Sequence, residues 1–466
     1  ATFVWARNLE HRPIHLTFDL PENSNWKIAT QLAMQAPDLY YAPDLAYFLD
    51  SPIEIADLAF RSEEINGQTI RLALHSSANE QEIDEYFSEV IKIVKQQEAV
   101  FGELPRFDFG TYTFLSCYVP NASGDGMEHR NSTFVVSSKP NDRPLGNTSM
   151  GTMSHEFFHA WNVERIRPKS LEPFDFEDAN ISGELWFAEG FTSYYTNLIR
   201  ARSGNLSEED YVNSLGGAVG YVMNAPGRKY FNPIEMSYRA PFVDAASSID
   251  PDNNANIFIS YYTYGSVLGL ALDMSLRSLD NDKTLDGYMK LIWEMYGKNE
   301  ISYSVRDLQY GLGQYASEAM AEEFFSRFIF DSQMPDYEQL FKNMGVIFEN
   351  SQSGVPTLGS RLRVQNGEGR WFGNPQVGSP IYEAGIAAED VIISIAGIKL
   401  SDPSFNLQNI LSTRKPGDKI KIVINRWGNE LTKTVTLAES SSLQTRWDMN
   451  ADPKAQSRRS EWLKAR

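Results

Sequence analysis

The sequence predicts an α+β protein of several domains, with a β-rich start, a mostly helical middle and a second β-rich module towards the end. Three observations carry this expectation. At 466 residues the chain exceeds what one hydrophobic core ordinarily serves, so two or three domains are expected. Hydrophobic residues at 42% against 22% charged describe a chain able to bury cores rather than a disordered one. The spacing of apolar residues also changes twice: alternation gives way to helical spacing near residue 76 and returns near residue 355.

Residues 1–75 read as strands and turns: "PIHLTFDL" alternates, "PENSNW" breaks and "QTIRLALH" alternates again. The opening "ATFVWARNLEHRP" reads as the middle of a strand region, so this domain is expected to be truncated at its start. Residues 76–350 form the expected second domain. Within it "EIDEYFSEVIKIVKQQEAVFG" carries a helical stripe of Tyr86, Phe87, Val90, Ile91 and Val94. "FGTYTFLSCYVP" and "STFVVSSK" are strand-like, separated by the loop "NASGDGMEHRN". One helix is predicted from Thr148 to near Ile166, ending before Pro168. Another follows Ser182 and reaches Arg202, with Gly204 as a stop signal. "GSVLGLALDMSLRSL" is a third. Residues 355–440 hold the strands "TLGSRLRV", "DVIISIAGIKL" and "KIKIVINRWGNELTKTVTL", with a hairpin turn at Gly428-Asn429 and a short helix at "NILSTRK". Residues 441–466 read as a polar, basic tail, packed or solvated.

A net charge of −19 excludes a binding mode resting on Lys and Arg against nucleic-acid phosphate. It suits attraction of cationic groups such as peptide amines. The one cysteine, Cys117, excludes an internal disulfide framework and a Cys₂His₂ zinc site, and is expected to pack as a small apolar residue. It is compatible with cytoplasm or periplasm and selects neither. No apolar run approaches a membrane span.

The chemistry concentrates in "TSMGTMSHEFFHAWNVERIRP". His155 and His159 are four positions apart, so on a helix both imidazoles leave one face and can grip one tetrahedral Zn²⁺. Glu156, next to the first, can take a proton from water at an open coordination position. The five-residue pattern also occurs by chance, and a third ligand is needed. No histidine follows in the sequence, so a downstream ligand must be a carboxylate. "GELWFAEGFTSYYTNLIRARSG" offers Glu189, a lone acid in an apolar, aromatic helix that is costly to bury without a cation. Glu184 and Glu164 compete, but read better as a helix-start charge and a solvated face.

The pairing of "HEFFHAWNVERIRP" with "LWFAEGFTSYY" resembles the glycyl aminopeptidase family of gluzincin metallopeptidases, PDZ-containing relatives of thermolysin and aminopeptidase N. The resemblance implies a thermolysin-like catalytic domain binding one Zn²⁺ per chain through His155, His159 and Glu189, with Glu156 as general base. Glu189 lies thirty positions beyond His159, the gap being filled by "KSLEPFDFEDANISG" as in that family. One departure is Ser193, where thermolysin-like enzymes place an Asp that orients a ligand histidine, which leaves the orienting group open.

"SGDGMEHRNST" resembles the Gly-x-Met-Glu-Asn segment of aminopeptidase N relatives. By that likeness Gly126, Met127, Glu128 and His129 bind substrate: Gly126 admits the substrate backbone and Glu128 captures the free α-amine. Without it, Glu128 reads as a surface-loop carboxylate and His129 as structural. "FISYYTYGSVLGLALD" resembles the Tyr-x-Lys-Gly segment of the aminopeptidases, giving Tyr262 the oxyanion-donor role, with Tyr261 and Tyr264 competing. "QVGSPIYEAGIAAEDVIISIAGIKL" resembles the PDZ pattern of bacterial proteases, with Leu358-Gly359 as the core of a carboxylate-binding loop. Peptide recruitment and simple packing both remain open for this module. The implied activity is removal of N-terminal residues, small ones such as Gly or Ala, from peptides with a free N-terminus. The alternatives are an endopeptidase on the same site, and a non-catalytic PDZ-bearing chaperone or adaptor with structural zinc.

Overall fold

The structure, a computed structural model, describes residues 4–243, 253–279 and 281–466. It is a mixed α/β, multidomain chain with a β-rich N-terminal region and a helical middle. The chain divides into two compact units: Ala1–Tyr211 with Leu279–Glu322 and Ser460–Arg466, and Val212–Ser278 with Glu323–Arg459.

The first unit begins with β1 (Ile14–Thr17), β2 (Lys27–Thr30), β3 (Ala33–Ala36), β4 (Leu39–Ala42), helix α1 (Leu45–Leu49) and β5 (Ile53–Ala56). These make two small sheets, β1-β4-β3 and β2-β5. A five-stranded sheet follows, from β6 (Ala59–Ile65), β7 (Gln68–Ser76), β8 (Thr111–Val119), β9 (Asp125–His129) and β10 (Ser132–Ser138), in the order β6-β7-β8-β10-β9. It runs across residue 75, where composition alone suggested a boundary, because β7 and β8 pair in parallel from Thr69↔Thr111 to Ser76↔Tyr118. The crossover between them is α2 (Glu80–Phe101), started by a capping box of Asn79 and Glu82 and stopped by Gly102 at φ 87°. Its stripe of Tyr86, Phe87, Val90, Ile91 and Val94 is buried. β9 is an edge strand, paired on one side only, antiparallel to β10.

Helices α3 (Met150–Phe158) and α4 (Leu185–Arg202) pack together, with Phe158 stacked on Tyr195 at 4.6 Å between ring centroids. The helix predicted from Thr148 to Ile166 is shorter than its pattern. After Phe158 the backbone leaves the helical ladder in a run of turns as far as Arg165, and the Asn162 carbonyl faces the His159 ring at 2.7 Å. The last residues of the chain also belong to this unit. Trp462 is fully buried; its Nε1 donates to the Tyr194 hydroxyl at 3.0 Å, and its carbonyl accepts from Arg202 at 3.0 and 3.1 Å.

In the second unit helix Tyr261–Arg277 is buried along most of its length, and the Tyr337 hydroxyl donates to its Val267 carbonyl. Strand Val346–Asn350 pairs with Leu443–Trp447, so the segment read as a tail begins with a strand. Between these two strands lies the β-rich module, a sheet of Leu362–Gln365, Glu368–Trp371, Val391–Ile395, Lys419–Arg426 and Asn429–Thr436 in that order. Its core includes Leu358, Trp371, Ile392, Ile422, Ile424 and Val435. The final hairpin turns on Trp427 and Gly428, φ 52° and 86°, one residue earlier than predicted, because Arg426 pairs with Asn429. Among the described residues no helix is long and apolar enough to cross a membrane.

Candidate active site

The site forms where α3, α4 and β9 meet in the first unit. The i, i+4 spacing puts the His155 and His159 rings 4.8 Å apart, and α4 brings Glu189 to both. Its Oε2 is 3.1 Å from His155 Nε2 and 3.2 Å from His159 Nε2. The other ring nitrogens are engaged elsewhere. His159 Nδ1 faces the Asn162 carbonyl at 2.7 Å, and His155 Nδ1 faces Thr196 Oγ1 at 3.1 Å. Thr196 Oγ1 itself donates to the Thr192 carbonyl at 2.8 Å.

These partners decide what the centre can hold. A carbonyl only accepts, and the Thr196 hydrogen is committed to Thr192, so both Nδ1 atoms must be the donors. In neutral imidazoles both Nε2 lone pairs would then face one carboxylate oxygen, acceptor against acceptor. Only protons or a cation can make that arrangement favourable. Two nitrogens and a carboxylate oxygen converging on one point are a donor set that fits Zn²⁺. The electrostatics agree: burial opposes charge on both partners. Even so, the Glu189 and Glu128 carboxylates raise His159 well above its ordinary value, and the imidazoles hold Glu189 well below the carboxylate range.

Glu156 is 6% exposed, and burial, opposed by His159 and reinforced by Glu128, pushes its carboxyl up to about 8. Glu128, on β9, shares this space: carboxylate oxygens of Glu128 and Glu156 and a His159 nitrogen all lie within 4.8 Å of one another. Burial pushes Glu128 upward too. Glu128 is thus part of the same acidic enclosure rather than a loop carboxylate facing solvent.

Gly126 lies against α3: an added Cβ would lie 2.3 Å from Thr152 Cγ2 and 2.6 Å from Glu156 Oε1. The absence of a side chain lets β9 lie against the helix carrying Glu156. Met127 is 54% exposed on the edge strand. His129 turns away to Asp50, its Nδ1 2.9 Å from Oδ1, while Asp50 Oδ2 accepts from the Arg130 amide. Arg165, 2% exposed, donates to the carbonyls of Arg130, Ala160 and Arg106 and to Asn131 Oδ1. It therefore ties the end of β9 to the turn after α3.

Two supporting residues escaped sequence reasoning. Thr196, two turns beyond Glu189, is the group that faces His155 Nδ1, where Ser193 left the partner open. Asn162 supplies its carbonyl to His159, and its side chain donates to Phe187 O, Ala188 O and Thr192 Oγ1, each at 3.1 Å, binding the α3 exit to α4. Asn162 is fully buried, which only the fold reveals, and nothing in "HAWNVERI" marked it beforehand. Glu184 starts α4 as expected, its carboxylate accepting from Ser170 and Ser182. Glu164 is not on a solvated helical face. It lines a cavity of about 990 Å³ with Asp50, Arg165, Arg167 and His129, and burial, then Asp50, pushes it up to about 7.

Tyr262 belongs to the second unit, stacked on Tyr261 at 5.0 Å, while Tyr264 is fully buried. In the same unit Leu358 is buried, and Gly359, at φ 74°, packs where a Cβ would meet Ser379 Cβ at 2.7 Å. Glycine is required there on both counts.

Two imidazoles and a carboxylate on adjacent helices, with a further acid beside the first imidazole, are a donor set of the kind that metallopeptidase centres use. The profile of the M61 glycyl aminopeptidases matches residues 148–268, and that of the M61 N-terminal domain matches residues 1–57. The fold is similar to that of an aminopeptidase N family protein from Idiomarina loihiensis (TM-score 0.79, 25% identity, covering 98% of this chain and 80% of that one). An M1 zinc metallopeptidase from Deinococcus radiodurans aligns more distantly, with TM-score 0.43, 12% identity, 67% of this chain and 62% of that one. The serine protease Do-like HtrA of Bacillus subtilis is 37% identical over 91 residues, 19% of either chain, so the likeness spans about a fifth of that protein's length. The chain thus matches M61 family profiles in both places, and it is a peptidase.

Proposed function

We propose that this peptidase is a zinc aminopeptidase that removes N-terminal residues from peptides. The observation that carries the reading is the convergence of His155 Nε2 and His159 Nε2 on one oxygen of Glu189, with both Nδ1 atoms already committed as donors. His155, His159 and Glu189 would hold the metal, which when bound supplies a Lewis acid that polarises the scissile carbonyl. Glu156 takes a proton from the attacking water and delivers it to the leaving amine. Thr196 and Asn162 keep the two imidazoles in the tautomer that presents Nε2. The free edge of β9 offers extended backbone to an incoming peptide, and Glu128, at that edge, receives the α-ammonium group.

Three parts of the reading rest on sequence resemblance. They are Tyr262 as oxyanion donor, preference for small N-terminal residues such as Gly or Ala, and a PDZ-like role for residues 355–440. The positive φ and tight packing of Gly359 suit a carboxylate-binding loop at Leu358-Gly359 in that module.

The test compares Glu128→Ala and Glu156→Gln on substrates with free and with blocked N-termini, alongside metal analysis. Glu156→Gln should abolish cleavage of both while retaining zinc, and Glu128→Ala should cripple only free-amine substrates. Equal losses on both substrate types in Glu128→Ala would leave an endopeptidase. A wild type that binds zinc and cleaves nothing would favour an adaptor.

A further inference from the structure

Within the five-stranded sheet, β7 and the central strand β8 run in parallel with His75 directly opposite Cys117. Glu54, on β5 of the neighbouring two-stranded sheet, reaches the same point. Cys117, expected as an apolar filler, is partly exposed, with its sulfur 3.7 Å from His75 Nδ1. The same nitrogen lies 3.4 Å from Glu54 Oε1. One ligand atom from each of the three lies within 4.8 Å of the others.

Two features separate this cluster from a chance polar contact. Glu54 is only 8% exposed, and among the described residues its Oε2 has no hydrogen-bond partner. A buried carboxylate oxygen left unpaired is costly unless a cation or donor meets it. Thiol and carboxylate also face the same ring nitrogen. A nucleophilic relay needs them on opposite nitrogens, so that the imidazole can take a proton from one while held by the other. Three unlike donors turned towards one point match instead the requirement of a borderline-soft divalent cation, for which thiolate, imidazole and carboxylate are all ligands.

We propose that Glu54, His75 and Cys117 form a second metal site, distinct from His155, His159 and Glu189, that binds a divalent cation of the zinc type. Binding replaces the thiol proton, which leaves to solvent, by the metal–sulfur bond; no redox change is involved. The half-exposed His75, with 38% of its side chain accessible, leaves a side open for water as a further ligand. The bound ion joins β5 to β7 and β8, and so clips the small N-terminal sheet to the sheet that carries Glu128.

Because the chain has one cysteine, the test has a signature the peptidase centre cannot produce. Co²⁺ is titrated into the reduced, metal-free full-length chain, and thiolate-to-cobalt charge transfer is followed in the near ultraviolet. Of the equivalents bound at saturation, one should develop that band, and Cys117→Ser should abolish it. Glu54→Gln and His75→Asn should each weaken the affinity read from it by about 10-fold or more, by analogy with losses in other metal sites. Circular dichroism of the metal-free variants establishes that they are folded. Saturating Co²⁺ that gives no thiolate band in the wild type overturns the proposal, whatever the variants do. So does a band of unchanged affinity in folded Glu54→Gln and His75→Asn, which would mean adventitious binding to a lone thiol only.

Discussion

Gly126→Ala is the substitution that probes the site most directly. Gly126 does not have a positive φ, so alanine meets no backbone penalty and its whole cost is steric. The new methyl would lie 2.3 Å from Thr152 Cγ2 and 2.6 Å from Glu156 Oε1, against about 3.5–4.0 Å for comfortable carbon contact. The strand and helix must therefore separate by about 1 Å. Helix α3 is held by α2 and α4, through Gln97 on the Ser154 carbonyl and Ser154 on the Thr196 carbonyl. β9 is paired on one side only, so it is the element that moves, and Glu128 moves with it. Overpacking of this kind costs about 1–3 kcal/mol. A misplacement of about 1 Å between catalytic groups costs on the order of 100-fold in rate. The expected result is a fall of about 100-fold in kcat/KM on a free-amine substrate, with a modest drop in Tm. Gly124→Ala, two residues earlier with nothing within 4 Å, is the control and should be silent. Thr152→Ser in the Gly126→Ala background removes one of the two clashes and should restore part of the activity. A Gly126→Ala enzyme within twofold of wild type would refute the argument that β9 and Glu156 are in contact through this position.

Three further outcomes are expected. Thr196→Val keeps the shape but leaves His155 Nδ1 without its acceptor, so zinc affinity measured by chelator competition should fall about 10- to 100-fold. Trp462→Ala empties a fully buried indole site and removes the N–H that the indole donates to the Tyr194 hydroxyl, so thermal or denaturant unfolding should lose about 3–5 kcal/mol. In the β-rich module, burial would raise the Asp390 carboxyl, but Arg426, bonded to it at 2.6 and 2.7 Å, and the Ala387 amide hold it below its ordinary value. A depressed folded value means stabilisation that is complete above the unfolded value near pH 4 and is lost as pH falls through the folded one. Acid unfolding followed on the module's only two tryptophans, Trp371 and Trp427, should therefore be less steep below about pH 4 in Asp390→Asn.

Much of the candidate site was readable because its geometry is local. His155, Glu156 and His159 are related by one helical turn, and that turn is set by backbone geometry whatever the chain does elsewhere. Glu189 was readable for a different reason: an acid in "ELWFAEGF" conflicts with its apolar neighbours, and a conflict of that kind has to be resolved by a partner. Thr196 and Asn162 offered no such conflict, since threonine and asparagine are unremarkable in either setting until their partners are known. Glu164 was misassigned because helical spacing was extended through Ile166, whereas the chain turns after Phe158. The turn depends on contacts that cross between segments, among them His159 with Asn162, Asn162 with α4, and Arg165 with the end of β9.

By itself the sequence determined the order of β-rich and helical segments, the pair of histidines with their neighbouring acid, and the identity of a carboxylate able to complete the set. These follow from periods of two and 3.6 residues and from the cost of burying charge. Tertiary structure alone decided that residues 59–76 belong to the sheet carrying Glu128, that Gly126 makes room for Glu156, and that Glu54, His75 and Cys117 share a point. Each of these depends on strands brought together from distant parts of the chain. Parallel pairing, as between β7 and β8, leaves no mark in the residues between them, since the register is chosen by the whole packed sheet and not by any local stretch of it.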